Sequence, residues 1–285
     1  MTTAFDAWIG REDERTEQVL APSVAAMAAT LDMASAPAAG QPLPPGWQWM
    51  FFNPVVRRSG LGTDGHPQRG GFLPPIELPR RMWAGSRVRY LADLPVDAKA
   101  TRRSLILKVE NKVGKRGSLW FVTVEHMISC EGKPCIMEEQ DIVYREATPP
   151  STAPAVAPEP YDGQAQWSRE VNPDTTLLFR YSALTFNGHR IHYDRKYVTE
   201  VEGYPGLIVH GPLIATLLVD LVRQSIPGCK LKSFEFRAIR PTFDINLFKV
   251  SAKPDLEKDP SGKTISIWAE DHEGWLTMQA TAVLA

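Results

Sequence analysis

Residues 180–222 read RYSALTFNGHRIHYDRKYVTEVEGYPGLIVHGPLIATLLVDLV, and their last stretch, IATLLVDLV (214–222), decides the fold. It is apolar nearly all round, as a helix must be to lie inside a core rather than on its surface. It opens at His210-Gly211-Pro212. Pro212 suits a first helical position, where its fixed φ is helical and its missing N–H is no loss. Gly211 admits a close backbone neighbour and keeps its own N–H. The free amides and the positive end of the helix dipole make a small anion site there. The spacing predicts a helix over 212–225. Strand-like runs follow it: LKSFEFRAIRPTF (231–243), INLFKVSAKP (245–254), KTISIWAED (263–271) and LTMQATAVLA (276–285).

The first half of the chain has the same grammar. ERTEQVLAPSVAAMAATLD (14–32) has apolar residues at helical spacing, and an irregular Gly- and Pro-rich excursion follows, to residue 79. RRMWAGSRVRY (80–90) reads as the start of a sheet, and its basic and aromatic residues also suit the entrance to a nucleotide-bearing ligand's pocket. Three strands are predicted over 102–111, 118–129 and 134–145, with turns at GKRG and EGKP. Between the halves lies ATPPSTAPAVAPEP, extended by composition. The expected organisation is therefore an N-terminal domain over 1–146, a Pro/Ala-rich linker over 147–165 and a C-terminal domain over 166–285. The fold class is α+β, two copies of one unit in which a curved antiparallel sheet wraps a central helix.

Charge and composition narrow the function. The chain has 285 residues and a formal net charge of −1, so no basic field attracts nucleic acid. No apolar run is long enough to cross a bilayer, and the start, MTTAFDAWIGREDERTEQ, is too charged for a signal peptide. Three cysteines, Cys130, Cys135 and Cys229, without a metal pattern imply reduced thiols and a cytoplasmic protein.

Chemistry concentrates upstream of the long helix. His189, His192 and His210, three of the six histidines, lie there with Asn187, Arg190 and Asp194 among them. Imidazoles beside a helix N-terminus suit a reaction that moves a proton while charge builds on an oxygen. The HRIH spacing lacks a third metal ligand, so no metal is expected. Asp194 reads as a local cap, His210, Tyr181 and Tyr193 as structural, and His272 as a turn residue.

Residues 181–212 resemble the hydratase motif of the MaoC-like hydratase/dehydratase family, a Ser-Gly-Asp-x-Asn-Pro-Ile-His pattern followed by a His-Gly helix start. Thr185 and Phe186 stand for Ser-Gly, Asn187 for the catalytic Asp, His189-Arg190 for Asn-Pro, Ile191-His192 for Ile-His, and Val209-His210-Gly211 for the helix start. The layout, with WIGRED at 8–13 and ALTFNGHRIHYD at 183–194, is similar to the branch of hydroxyacyl-thioester dehydratase type 2 and the mesaconyl-CoA and itaconyl-CoA hydratases. That resemblance implies a double hot-dog fold with a non-catalytic N-terminal copy. It implies a hydro-lyase with an acyl-CoA substrate, no separate cofactor, and, from long sheet edges, a homodimer.

The implied chemistry adds water to Cβ of an enoyl thioester while enolate charge grows on the thioester oxygen. His192 is the expected acid/base and the Gly211 amide the expected oxyanion donor. Asn187 departs from the pattern; a carboxamide takes no proton, so it is expected to position the water. His189, Arg190, Arg180, Arg237 and Arg240 are expected to bind substrate, Arg190 through an acyl carboxylate. Three functions remain open: a hydratase of short dicarboxylic enoyl-CoA such as mesaconyl- or itaconyl-CoA, giving citramalyl-CoA; a 3-hydroxyacyl-thioester dehydratase of longer uncharged chains; and an acyl-CoA-binding module without turnover.

Overall fold

The computed structural model describes residues 5–114, 117–146 and 163–285, so the expected linker lies almost wholly outside the described residues. The N-terminal half runs β1 (Glu12–Gln18), α1 (Ala21–Thr30), β2 (Arg80–Tyr90), β3 (Lys99–Gly114), β4 (Gly117–Cys130) and β5 (Lys133–Arg145). The C-terminal half runs β6 (Trp167–Val171), α2 (Thr175–Leu184), α3 (Gly211–Ser225), β7 (Leu231–Ala238), β8 (Phe248–Pro254), β9 (Thr264–Glu270) and β10 (Leu276–Leu284). Short 3-10 and π turns at Arg190–His192 and Tyr197–Val201 separate α2 from α3.

One prediction needs correction. The helix expected from residue 14 begins at Ala21, because residues 12–18 form β1, which pairs antiparallel with β3 from Glu12↔Leu105 to Gln18↔Lys99. Glu, Arg and Gln favour helices in isolation, but a waiting sheet edge outweighs that weak preference. The segment is exposed and half-buried by turns, as an edge strand is.

Each half has the same strand order. The full sheet reads β1-β3-β4-β5-β2-β7-β10-β9-β8-β6, so the second half is the first run backwards from the joint. This is the double hot-dog plan, with the halves fused edge to edge by antiparallel pairing of β2 with β7, Gly85↔Arg237 to Arg89↔Ser233. Gly85 sits at this seam beside a bulge, and a Cβ there would run into the Phe236 carbonyl oxygen. Only glycine permits that approach.

The halves differ in what fills the sheet. In the C-terminal half α3 lies in the cup, buried without a break from Leu213 to Val222. Each such leucine or valine contributes about 1.5–3 kcal/mol by leaving water. Asp220, buried on the same helix, is met by Arg169 Nη1 at 3.3 Å and Gln224 Nε2 at 2.9 Å. In the N-terminal half α1 packs beside α2, and the segment carrying Trp47, Met50, Phe51 and Phe52 supplies the apolar filling. Part of that cup remains open as a cavity. No helix described is long and apolar enough to cross a membrane, and the three cysteines are unpaired.

Candidate active site

A cavity of about 940 Å³ lies where the two halves meet. One wall is the inner face of the N-terminal sheet. Alternate residues of a strand share a face, and Arg102 and Ser104 on β3, His126 on β4, and Glu138 and Gln140 on β5 all reach the cavity. The opposite wall comes from the end of α2 and the start of α3, through Ser182, Asn187 and Pro212. Exposed Phe179, Phe186 and Met82 edge it.

The motif is held by its backbone. Helix α2 starts on Asp174, whose carboxylate accepts from the Leu177 amide at 2.8 Å, and ends at Thr185, whose hydroxyl donates to Tyr181 O at 2.7 Å. Phe186 then takes a left-handed conformation, φ 49°, which turns the chain so that the Asn187 amide donates to Ser182 O at 2.8 Å. Asn187 Oδ1 accepts from the His189 amide at 3.0 Å. A backbone N–H requires an oxygen acceptor, so this contact fixes the carboxamide's orientation and leaves Nδ2, a donor, for the cavity.

His192 is buried, 7% exposed, with Nδ1 2.7 Å from Ile208 O. A carbonyl only accepts, so Nδ1 carries the proton and Nε2 keeps its lone pair. Burial pushes this imidazole down to about 4, which keeps it neutral. Its ring stacks on His210, centroids 3.7 Å apart. His210 Nε2 lies 2.7 Å from Ser182 Oγ, and burial, then the neighbouring histidines, hold it well below the usual imidazole range. His210 is thus a structural post beneath His192. Gly211 begins α3, its amide has no acceptor among the described residues, and an added Cβ would meet only Met278 Cε, at 4.0 Å.

Asn187 and, at the helix start, Pro212 therefore border one cavity; His189, His192 and Gly211 are not in its lining, and neither are the expected arginines. Arg190 is a correction. It donates to Asp194 through Nε at 3.0 Å and Nη2 at 2.8 Å, gives Nη1 to Thr63 O at 2.9 Å, and lies over the Tyr197 ring. Its donors are committed to joining two loops, so it faces no substrate. Asp194 is the structural anchor it was expected to be, also accepting from the Tyr197 amide at 3.0 Å. Arg237 points from the outer face of β7, Arg180 is exposed on α2, and Arg240 packs over Trp275. None of the three lines the cavity: periodicity turns Arg237 on its strand and Arg180 on its helix away from it, and Arg240 lies in a bend beyond β7.

Its arginines come instead from the N-terminal half: Arg15, Arg58, Arg69, Arg81 and Arg102. RRMWAGSRVRY forms β2, the sheet start expected of it, and Arg81, Met82 and Trp83 line the cavity. Arg102 is the unusual one. Nη2 donates to Phe52 O at 2.8 Å, Nε is buried with no partner, and no carboxylate lies within ion-pair reach among the described residues. Burial, then the charge of Arg15, lowers its guanidinium to about 10. The sequence held a signal for this wall: Ser104, His126, Glu138 and Gln140 interrupt the apolar parity set by Ile106, Val124, Ile128 and Ile142.

A second missed group arrives on the loop between Gly62 and His66. His66 lines the cavity and its ring lies 3.9 Å from that of His189, which meets His192 edge-on at 5.4 Å. Asp64 Oδ2 is 3.0 Å from His66 Nδ1, and Asp64 O accepts from the Arg190 amide at 2.9 Å. Gly65 has φ 87°, and a Cβ there would run into the Gly188 carbonyl. Asp64, His66 and His189 also each offer a ligand atom within 4.8 Å of the others, a trio able to hold a cation.

Comparison with known proteins shows the family. Residues 46–244 match the family described as hydroxyacyl-thioester dehydratase type 2. The chain belongs to that family. Mesaconyl-C(4)-CoA hydratase of Chloroflexus aurantiacus is 45% identical over 281 residues, 98% of this chain and 97% of the relative. The mitochondrial hydroxyacyl-thioester dehydratase type 2 of Schizosaccharomyces pombe is 28% identical over 70% of this chain and 74% of its own. Among solved structures, a MaoC-like dehydratase superposes with TM-score 0.69 at 12% identity, covering 99% of both chains. A Mycobacterium tuberculosis protein described as a double hotdog fold superposes at 0.59 with 12% identity, covering 97% of this chain and 96% of its own. These two show the fold.

Proposed function

We propose that this member of the dehydratase type 2 family is a hydro-lyase that adds water to a short dicarboxylic enoyl-CoA. Mesaconyl-CoA is the first candidate and itaconyl-CoA the second, each giving citramalyl-CoA. The motif supplies three parts of the reaction. His192 Nε2 accepts a hydrogen of the water, Asn187 Nδ2 donates to the water's oxygen, and the Gly211 amide donates to the thioester oxygen as enolate charge grows. The relative of near-equal length named mesaconyl-C(4)-CoA hydratase supports the reaction and its substrate class.

The observation that carries the dicarboxylic reading is Arg102. A half-buried guanidinium whose Nε is out of water without a partner, facing a cavity, favours an anion that joins it there. A free acyl carboxylate is that anion. The test is Arg102→Met, which keeps the aliphatic stem. A hydrogen bond to a charged group contributes about 1.5–3 kcal/mol, so kcat/KM on mesaconyl-CoA should fall by about 10- to 100-fold while that on crotonyl-CoA holds or rises. Equal losses on both substrates would remove the carboxylate clamp.

The alternative is dehydration of longer uncharged 3-hydroxyacyl thioesters. The aromatic lining of Trp49, Phe51, Phe72 and Trp83 favours it, as does the likeness to the yeast enzyme. A homodimer and a cytoplasmic setting complete the proposal, supported respectively by the open sheet edges at β1 and β6 and by three unpaired thiols.

A further inference from the structure

The motif as it stands is short of one group. Hydration removes a proton from water and delivers one to Cα, yet Asn187 cannot exchange a proton, and its oxygen is already engaged by the His189 amide. His192 can accept one, but it is buried, its Nδ1 meets only a carbonyl, and no carboxylate touches it. A cation there has nothing to balance it.

We propose that His66, oriented by Asp64, is the group that takes and returns the proton, supplied by the N-terminal half to replace the carboxylate lost at Asn187. Asp64 Oδ2 sits 3.0 Å from Nδ1 and Asp64 Oδ1 accepts the His66 amide at 3.0 Å, so the carboxylate grips the residue at both ends. With the Nδ1 proton held by Asp64, Nε2 carries the lone pair, the arrangement in which a carboxylate fixes an imidazole's tautomer and stabilises the imidazolium that forms. His66 shares the cavity with Asn187 and is one ring away from His192, through His189. The loop cannot drift, because Arg190 ties it at Thr63 O and Asp64 O and Gly65 lies against Gly188.

Water's oxygen bonds to Cβ as its proton passes to His66 Nε2, and the π pair moves onto the thioester oxygen at the Gly211 amide. The imidazolium, paired with Asp64, then gives that proton to Cα as the thioester carbonyl re-forms. His192 accepts the water's other hydrogen throughout. Nothing is oxidised or reduced, and no group leaves. Asp64 is a positioning residue; His66 is catalytic.

This inference rests on the proposed hydration, so the test follows the enoyl absorbance of wild type, His66→Ala and Asp64→Asn on whichever of mesaconyl- and crotonyl-CoA the wild type turns over. General acid–base groups contribute about 10²- to 10⁴-fold, so His66→Ala should lose that much in kcat with KM within a few-fold. Added imidazole should restore part of it. Asp64→Asn should lower kcat and move the acid limb of kcat/KM to lower pH, since the carboxylate raises the proton affinity of His66. Melting curves confirm that both variants are folded. A folded His66→Ala retaining kcat within about threefold, or one that imidazole does not rescue, overturns the dyad and leaves the hydratase standing. Wild-type activity lost to a chelator and restored by zinc overturns it in favour of a metal at Asp64, His66 and His189. Turnover of crotonyl-CoA alone overturns the dicarboxylic reading while the dyad is still tested on that substrate. Wild type silent on both substrates overturns the hydration and the dyad together.

Discussion

Gly211 separates a residue's chemical role from its packing. Its amide has no protein acceptor and a Cβ would meet almost nothing, so Gly211→Ala should leave the melting temperature unchanged. The methyl would instead stand where the thioester oxygen must come. Losing an oxyanion donor costs about 10²–10³ in kcat, and a comparable fall with KM little changed is expected; an unaffected kcat would remove Gly211 from the site. Gly65→Ala should behave oppositely, since its Cβ would displace Gly188 and force a left-handed conformation on alanine. Binding and turnover should both fall, read from a thioester titration beside the kinetic assay. At this scale the C-terminal motif was legible because its residues are consecutive and its residue types are chemically specific. Asp64 and His66 were not, because a histidine in a Gly-rich excursion carries no mark of what it will face. Arg190 misled for a related reason: its type fits a carboxylate, and the one it meets is Asp194.

Among elements, the seam between β2 and β7 holds the two halves in register. Gly85→Ala places a methyl against the Phe236 carbonyl. Overpacking of this kind costs about 1–3 kcal/mol, and the loss should appear as a lower urea midpoint with an unchanged slope. An unchanged midpoint would mean that the seam relaxes freely. The strands over 117–145 and 231–284 could be read in advance, because alternation and turn residues agree there. Helix α3 was equally plain, being apolar on every face with Gly-Pro at its start. β1 was lost to helix-favouring residues that pair with β3 only in the finished sheet. The uneven filling of the two cups was hidden too, since it depends on how a long excursion packs rather than on any local pattern.

Across the whole molecule, five histidines are held neutral: His66, His126, His189, His192 and His210. Burial is the leading cause in each, bringing His126 to about 3 and His192 to about 4. The unfolded chain protonates its histidines near pH 6.5, so below that value it binds more protons than the native protein. Stability is therefore greatest above about pH 6.5 and falls as the pH drops towards about 4, by up to about 1.4 kcal/mol per pH unit for each histidine. Urea unfolding between pH 7 and pH 5 should show a steep loss; a flat profile would mean that these rings are charged in the native state. The overall plan, two similar halves with chemistry in the second, could be read from the repeat of helix and strand signals. That the first half supplies the cavity's arginines and a second imidazole could not, because those residues meet the motif only across the joined sheet.

The measurement that tests the account most directly is the absorbance of the conjugated thioester when the wild-type protein meets mesaconyl-CoA, with crotonyl-CoA and His192→Ala as controls. Hydration at this site predicts loss of the band on mesaconyl-CoA, far slower loss on crotonyl-CoA, and a rate about tenfold lower in His192→Ala, which removes one hydrogen bond to the water. Faster turnover of crotonyl-CoA, or an undiminished rate in His192→Ala, would contradict it.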